Sequence, residues 1–407
     1  MEIGGPGVSC DGGSVSSTGR KGASGGGIAS APCGVLEKPA LQVGKDLAKP
    51  PVGAKIGAFS VIFSIIFLIK TERTAAARRV LKRFITENPV TGSLYKWRFE
   101  RHFRGILAEH RSPCQVQPSK MLDTYAVRKG DRVIIVNLKD AVLGGMIADR
   151  FDILFSATIP AEEDGLKVVD YSRPKVHTLR NGLQFEFPSL PEAVAALDSQ
   201  IGWYKPTQGD IIFDCGANVG VSCYHFSKMV GPTGRVISFE PDRISLGYLR
   251  KNIARHGLEN VTVVEAAIGG ADGKASFFSE GTVSSGMAHV LRRKSAGDVI
   301  EVPVISLRTA FSRYGTPNLC KIDIEGAEIE ALESAAECFS SLEINFVVDT
   351  DHLVDDDTST RRVEAIFRRA GYETETVGET LAVTYARPSA KPSVLETGKR
   401  FPWSREQ

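Results

Sequence analysis

Cysteine is scarce and shows no pairing pattern. Cys10, Cys33, Cys114, Cys215, Cys223, Cys320 and Cys338 form an odd set without Cys-x-x-Cys spacing. That argues against a zinc site and for a reducing compartment. An excess of charge of one sign is missing too, since 50 Lys and Arg stand against 48 Asp and Glu. The chain therefore has no overall basic field that would by itself gather nucleic acid. Residues 56–69 are uncharged and apolar between Lys55 and Lys70. They fall short of the roughly 20 residues of a spanning helix, and of the ~17 of its lower range. Bases flank both sides, so charge gives the segment no orientation. It reads as a membrane anchor or as a buried or partner-facing helix. The dinucleotide fingerprint Gly-x-Gly-x-x-Gly is also missing from the one glycine turn that follows a core strand, which disfavours a nicotinamide dehydrogenase.

What is present falls into zones. Residues 1–53 are rich in Gly, Ser, Ala and Pro without apolar period, and disorder is expected there. No basic region feeds directly into an apolar core, so this is not an ordinary signal peptide. Residues 71–111 read as basic helices carrying Arg78, Arg79, Lys82, Arg83, Lys96, Arg98, Arg101 and Arg104. Those charges are either a membrane-surface or nucleic-acid patch or the solvated faces of helices packed on the core. Between 121 and 187, Val133-Ile-Ile-Val136, Ile153-Leu-Phe155, Lys167-Val-Val169 and Leu183-Gln-Phe-Glu-Phe187 are β-like runs separated by turn signals. Residues 191–204 read as a helix leading to the first core strand.

From residue 210 strands and helices alternate, the pattern of a doubly wound sheet. Ile211-Ile-Phe-Asp-Cys215 is an apolar strand, Gly216-Ala-Asn-Val-Gly220 a glycine turn, and a helix follows at once. Further strands are expected at Arg235-Val-Ile-Ser-Phe239, Asn260-Val-Thr-Val-Val264, residues 318–324 and residues 344–348. Val302-Pro-Val-Ile-Ser-Leu307 reads as an edge strand, since Pro303 cannot donate to a ladder. A helix is expected over 327–338 and another over 360–370. Residues 372–377 and 380–386 read as a closing antiparallel hairpin.

Ligands of open α/β sheets bind outside the carboxyl ends of the strands. Those ends carry Asp214 with Gly216, Ala217, Asn218 and Gly220; Glu240 and Pro241; Glu265, Ala266 and Ala267; Asp323, Glu325, Gly326 and Glu328; and Asp349, Asp351 and His352. An acid at 240 can accept two ribose hydroxyls. The carboxylate of Asp214 suits a cationic ligand better than a pyrophosphate. Asp323, Glu325, Asp349 and Asp351 could bind a divalent cation, although no ligand spacing supports one, and no metal is expected.

Phe213-Asp-Cys-Gly-Ala-Asn-Val-Gly220, Phe239-Glu-Pro241, Ala267-Ile-Gly269, Val302-Pro-Val304 and Lys321-Ile-Asp-Ile-Glu-Gly-Ala-Glu328 resemble, in order and spacing, the FkbM family of S-adenosylmethionine-dependent methyltransferases. The resemblance covers roughly residues 209–352. It implies an α/β class I methyltransferase fold, Rossmann-like, with a mostly parallel seven-stranded sheet behind an N-terminal helical and β-rich extension. The boundaries expected along the chain are a tail at 1–53, an apolar segment at 54–70, an accessory region at 71–204, the methyltransferase domain at 205–388 and a tail at 389–407; the N-terminal extension lies outside the resemblance. The resemblance also implies S-adenosylmethionine as cofactor and O-methylation of a sugar or other small-molecule hydroxyl in glycan or natural-product assembly. Asp214, Gly216, Ala217, Asn218, Gly220, Glu240, Pro241, Glu265, Ala266, Ala267, Asp323 and Glu325 would hold the donor. The family's last strand commonly ends in Glu-x-His; here it ends Asp349-Thr-Asp-His352.

A hydroxyl acceptor must lose a proton as it attacks. His352 is the expected base, because its unperturbed pKa lies near working pH, and Asp323 is the second candidate. A cytoplasmic location is expected, and residues 56–69 are where any membrane association would be made. Two other readings remain. An RNA methyltransferase is kept open by the basic stretch around 78–104, although Asp323-Ile-Glu-Gly326 stands where base amino methylation uses Asn/Asp-Pro-Pro-Tyr. The Pro-Cys pairs at 32–33 and 113–114 precede the catalytic region. The other is a non-catalytic nucleotide-binding assembly module.

Overall fold

The computed structural model describes residues 100–119, 124–137, 143–191, 194, 197, 204–279, 285–287, 298–354, 357–378 and 382–389. The expectations for 1–53 and 54–70, for the basic stretch up to 99, and for most of 192–203, 280–297 and the C-terminal tail lie outside the described residues. Among the described residues no helix is long and apolar enough to cross a membrane.

The central sheet is built from Ile211–Cys215 (β1), Arg235–Phe239 (β2), Val261–Val264 (β3), Leu319–Ile322 (β4), Asn345–Asp349 (β5), Tyr372–Val377 (β6) and Val383–Pro388 (β7). Their order across the sheet is β3-β2-β1-β4-β5-β7-β6. The β3–β2, β2–β1, β1–β4 and β4–β5 pairings are parallel. The β5–β7 and β7–β6 pairings are antiparallel, so the sheet is mixed.

Helices Val221–Val230 (α1), Arg243–His256 (α2), Leu307–Tyr314 (α3), Glu328–Glu333 (α4) and Thr360–Arg369 (α5) cover both faces. Alternation along the strands sorts the cores. Phe213, Ile237, Cys320, Ile322, Phe346 and Val348 pack with Leu307, Ile329 and Phe367. Ile212, Val236, Leu319 and Val347 pack with Val221, Phe226 and Leu249. This double coverage explains why β1, β4 and β5 read as nearly continuous apolar runs. It also marks Asp214 and Lys321, which share the parity of the second face, as charges enclosed in the fold.

The accessory region has its own core around Phe103, Tyr125, Ile134, Phe151 and Tyr171, beneath a five-stranded sheet. Ile153-Leu-Phe155 is not a strand. It lies in the helix Phe151–Ser156, which buries Phe151, Leu154 and Phe155 at helical spacing. Short apolar runs cannot be told apart by periodicity alone, and here the i, i+3, i+4 stripe decides.

Two more expectations change. The strand Asp298–Ser306 is internal, not an edge: it pairs with Gly273–Ser279 on one side and with Ala267–Gly269 on the other. Pro303 is tolerated because the second ladder begins one residue later, at Val304. The helix expected over 327–338 is two short ones, Glu328–Glu333 and Ala336–Phe339.

Candidate active site

The turn after β1 is pinned from both flanks. Gly216 N–H and Ala217 N–H both donate to the Phe239 carbonyl at the end of β2, at 3.0 and 3.1 Å. Asp323 N–H donates to the Cys215 carbonyl at 3.1 Å, closing the β4 side. Gly216 has φ +79, and a Cβ there would lie 1.8 Å from the Asp323 carbonyl oxygen. Only glycine permits that approach. Asn218, at φ +49, turns its N–H onto Glu240 Oε2 at 2.7 Å. Gly220 takes φ 89 as the N-cap of α1.

Glu240 is 6 % exposed, and its other oxygen accepts from Asp242 N–H at 2.8 Å. Burial pushes its pKa up to about 8, against the pull of the Asp242 and Asn218 donors. A carboxylate has about four lone-pair sites, so acceptor capacity remains for a ligand hydroxyl. Asp242 caps α2 through Ile244 N–H and also accepts from Ser279 Oγ at 2.8 Å and Ser285 Oγ at 2.5 Å. The β2 end is thereby tied to the neighbouring four-stranded sheet.

Asp214 does not present a free charge. It is fully buried, accepts from Ser222 Oγ at 2.8 Å through Oδ2, and lies 3.4 Å from Lys321 Nζ through Oδ1. Lys321 is 2 % exposed; it donates to the Gly216 carbonyl at 2.9 Å and sits 3.6 Å from Asp323 Oδ2. Burial alone would discharge this lysine, but Asp214 and Asp323 hold it cationic, with its pKa raised. One buried cation thus joins the turn after β1 to the end of β4. Lys321 carried no expected role, although a charge within Leu319-Cys-Lys-Ile322 was the signal that could have found it.

Glu265 is not turned inward. Its side chain is 59 % exposed and pairs with Arg250 of α2. Ala266 and Ala267 are each 4 % exposed, so the small side chains, not the acid, are enclosed at the end of β3. Pro241 is half-buried beside Glu240.

The ends of β4 and β5 bring together Asp323, Glu325, Asp349, Asp351 and His352. His352 Nδ1 lies 3.0 Å from Glu328 Oε1, in contact but out of line for a hydrogen bond. Its Nε2 lies 3.9 Å from Asp351 Oδ1 and 4.0 Å from Glu325 Oε1. Glu328 is fully buried, and Oε1 also accepts from Ile324 N–H at 3.0 Å and Gly326 N–H at 3.2 Å. Glu325 takes φ 58 within that loop.

Burial works against the imidazolium, yet Glu328, Glu325 and Asp323 outweigh it and hold His352 well above the ordinary histidine pKa. The expected base therefore has a pKa raised by its carboxylate neighbours, which favour the imidazolium. Burial, and then Asp323 and Asp351, push Asp349 well above the carboxylate range. Among the described residues no group of His, Cys, Asp or Glu is arranged to hold a metal ion.

The residues present fit a nucleoside-bearing cation. The glycine turn stands beside the strand ends, Glu240 keeps acceptor capacity, and the β4–β5 ends are rich in carboxylates. Together with the doubly wound sheet they have the make-up of a methyltransferase domain. Residues 214–374 match the family model of the methyltransferase FkbM domain.

Among solved structures, the methyltransferase FkbM from Methylobacillus flagellatus is similar at 20% identity and TM-score 0.36. That match covers 47% of this chain and 47% of the other, so the chain spans about half the length of that relative. Aeropyrum pernix fibrillarin, in complex with natively bound S-adenosyl-L-methionine, matches at 12% identity and TM-score 0.32, over 68% of this chain and 99% of that one. A SAM-dependent O-methyltransferase from Thermotoga maritima matches at 11% identity and TM-score 0.29, over 55% and 80%. No curated protein sequence matches the chain.

Proposed function

We propose that the chain transfers a methyl group from S-adenosylmethionine to a hydroxyl of a sugar or another small molecule, in glycan or natural-product assembly. The observation that carries this reading is the convergence of two groups of residues on one edge of the sheet. The donor-type turn, Gly216 and Asn218 anchored to Glu240, stands next to the proton-handling cluster of Asp323, Asp349, Asp351 and His352. When bound, S-adenosylmethionine supplies an electrophilic methyl on a sulfonium. Asp214, Lys321 and Ser222 hold the turn in shape. Glu240 accepts the ribose hydroxyls. Asp323 and Glu325 lie at the mouth with side chains 27% and 25% exposed, where a cation can meet them.

The hydroxyl proton needs an acceptor. His352 and Asp323 are the two candidates. His352 takes it only from its deprotonated form, so its share grows with pH. Alignment does the larger part, since well-oriented reactants gain up to roughly 7–11 kcal/mol over free encounter.

The acceptor in this reading is a small-molecule or glycan hydroxyl in the cytoplasm, not nucleic acid, with residues 56–69 as a membrane attachment. Calorimetry of the pure protein with S-adenosylmethionine tests the donor; no heat of binding would remove the reading. Mass spectrometry of glycans and small metabolites, with and without active protein, tests the acceptor through a gain of one CH₂. A CH₂ gain on RNA instead would move the acceptor to nucleic acid.

A further inference from the structure

Glu328 is a buried carboxylate outside the donor-binding turn and has no part in the reaction as set out above. It is 0 % exposed, and among the described residues Oε2 has no hydrogen-bond partner. Oε1 is fixed by Ile324 N–H and Gly326 N–H. A buried charge of this kind is costly unless something offsets it. The offset is the His352 ring, 3.0 Å away through Nδ1. The backbone of His352 is held as well, its carbonyl accepting from Ser359 N–H at 3.0 Å.

We infer that Glu328 is the positioning residue of His352: by claiming Nδ1 it orients the ring so that Nε2 is the edge that exchanges a proton with the pocket. The inference rests on reading the strand ends as the methyl-transfer site. A bare Nδ1 lone pair facing a carboxylate at that distance would be repelled, so Nδ1 keeps its proton in both charge states. Deprotonation then empties Nε2, which faces Glu325 and Asp351. The step is a plain proton transfer: the hydroxyl O–H bond breaks, an Nε2–H bond forms, and the imidazolium is stabilised by Glu328.

The charged groups around the ring are Glu328 from the first turn of α4, Glu325 from the β4–α4 loop, Asp323 from the end of β4, and Asp349 and Asp351 from the end of β5. The charge of Arg150, in the accessory region, also acts on Asp351 and lowers its pKa. Glu328 differs from the others in its complete burial and in sitting on Nδ1.

The test is an NMR titration of the full-length protein, with histidine rings labelled and His352 assigned by loss of its signal in His352→Gln. No donor or acceptor is added. The expected result is a His352 titration above that of an ordinary histidine, falling by about one pH unit or more in Glu328→Gln. The nitrogen couplings of the neutral wild-type ring should report the Nδ1–H form. That second measurement needs no variant and stands if Glu328→Gln fails to fold. An Nε2–H ring, or a His352 titration unmoved by Glu328→Gln, would overturn the inference; a merely structural glutamate would lower the melting temperature and leave the titration in place. Calorimetry with S-adenosylmethionine is a separate readout, so failure of the donor reading and failure of the dyad are distinguishable.

Discussion

Lys321 shows how a single side chain can link the two halves of the site. Its ammonium serves Asp214, Asp323 and the Gly216 carbonyl at once, with almost no access to water. Replacing it by Met keeps the volume but strands Asp214, which is fully buried. Removing one partner of a buried pair typically costs about 3–5 kcal/mol, so Lys321→Met should lower the unfolding free energy from urea denaturation by that amount; a loss below about 1 kcal/mol would show that Asp214 is otherwise compensated. Gly216→Ala should be as severe. The new methyl meets the Asp323 carbonyl at 1.8 Å, and φ +79 adds strain. Roughly 2–4 kcal/mol is expected from the two together, with loss of donor binding by calorimetry. Much of this was legible in the residues: Gly216, Asn218 and Glu240 fall where the turn needed them. The pairing of Asp214 was not, because a sequence gives the presence of a charge in a strand but not the partner across it. His352 was misjudged for the same reason, as its charge is set by Glu328, Glu325 and Asp323, which only the fold brings near.

Among the elements, the end of β2 is where the proposed donor's ribose would be held. Glu240 carries a pKa of about 8 because burial outweighs two backbone donors. Ribose hydroxyls donating to it would favour the carboxylate, so donor binding should release a proton near neutral pH. The sign follows: affinity rises with pH until about 8 and then levels. Calorimetry at about pH 7 in buffers of different ionisation enthalpy should show that release. Equal heats in all buffers would mean that Glu240 keeps its proton or does not meet the ligand. The strands that frame this end were easy to read, since β1, β2 and β4 are buried on both faces and their apolar runs are bounded by turns. The helix Phe151–Ser156 and the internal place of Asp298–Ser306 were not. A short run such as Ile153-Leu-Phe155 fits either period, and a strand's neighbours are fixed by long-range pairing that no local pattern encodes.

Across the whole molecule, the buried titrating groups pull stability in opposite directions with pH. His177 and His225 have pKa values lowered by burial to about 4 from 6.5, so the unfolded chain binds more protons between those values and stability rises with pH there. Glu240 is raised from 4.5 to about 8, and Asp349 and Asp351 are raised as well. For these the folded state binds more protons, and stability falls as pH rises through the same window. The two sets offset each other up to about 6.5, where the unfolded histidines finish titrating. Above that point only the falling set remains, joined by His352, whose raised pKa gives stability that is lost as pH rises through it. Each such group contributes a slope of about 1.4 kcal/mol per pH unit. The protein without donor should therefore melt at a higher temperature at about pH 6.5 than at about pH 8. S-adenosylhomocysteine, which keeps the ribose, should narrow the gap by favouring ionised Glu240. Melting curves at the two pH values, with and without that ligand, decide the matter. A melting temperature that rises with pH over this interval would mean that the acidic strand ends are already ionised and balanced, and the charge arrangement described for β2, β4 and β5 would have to be redrawn.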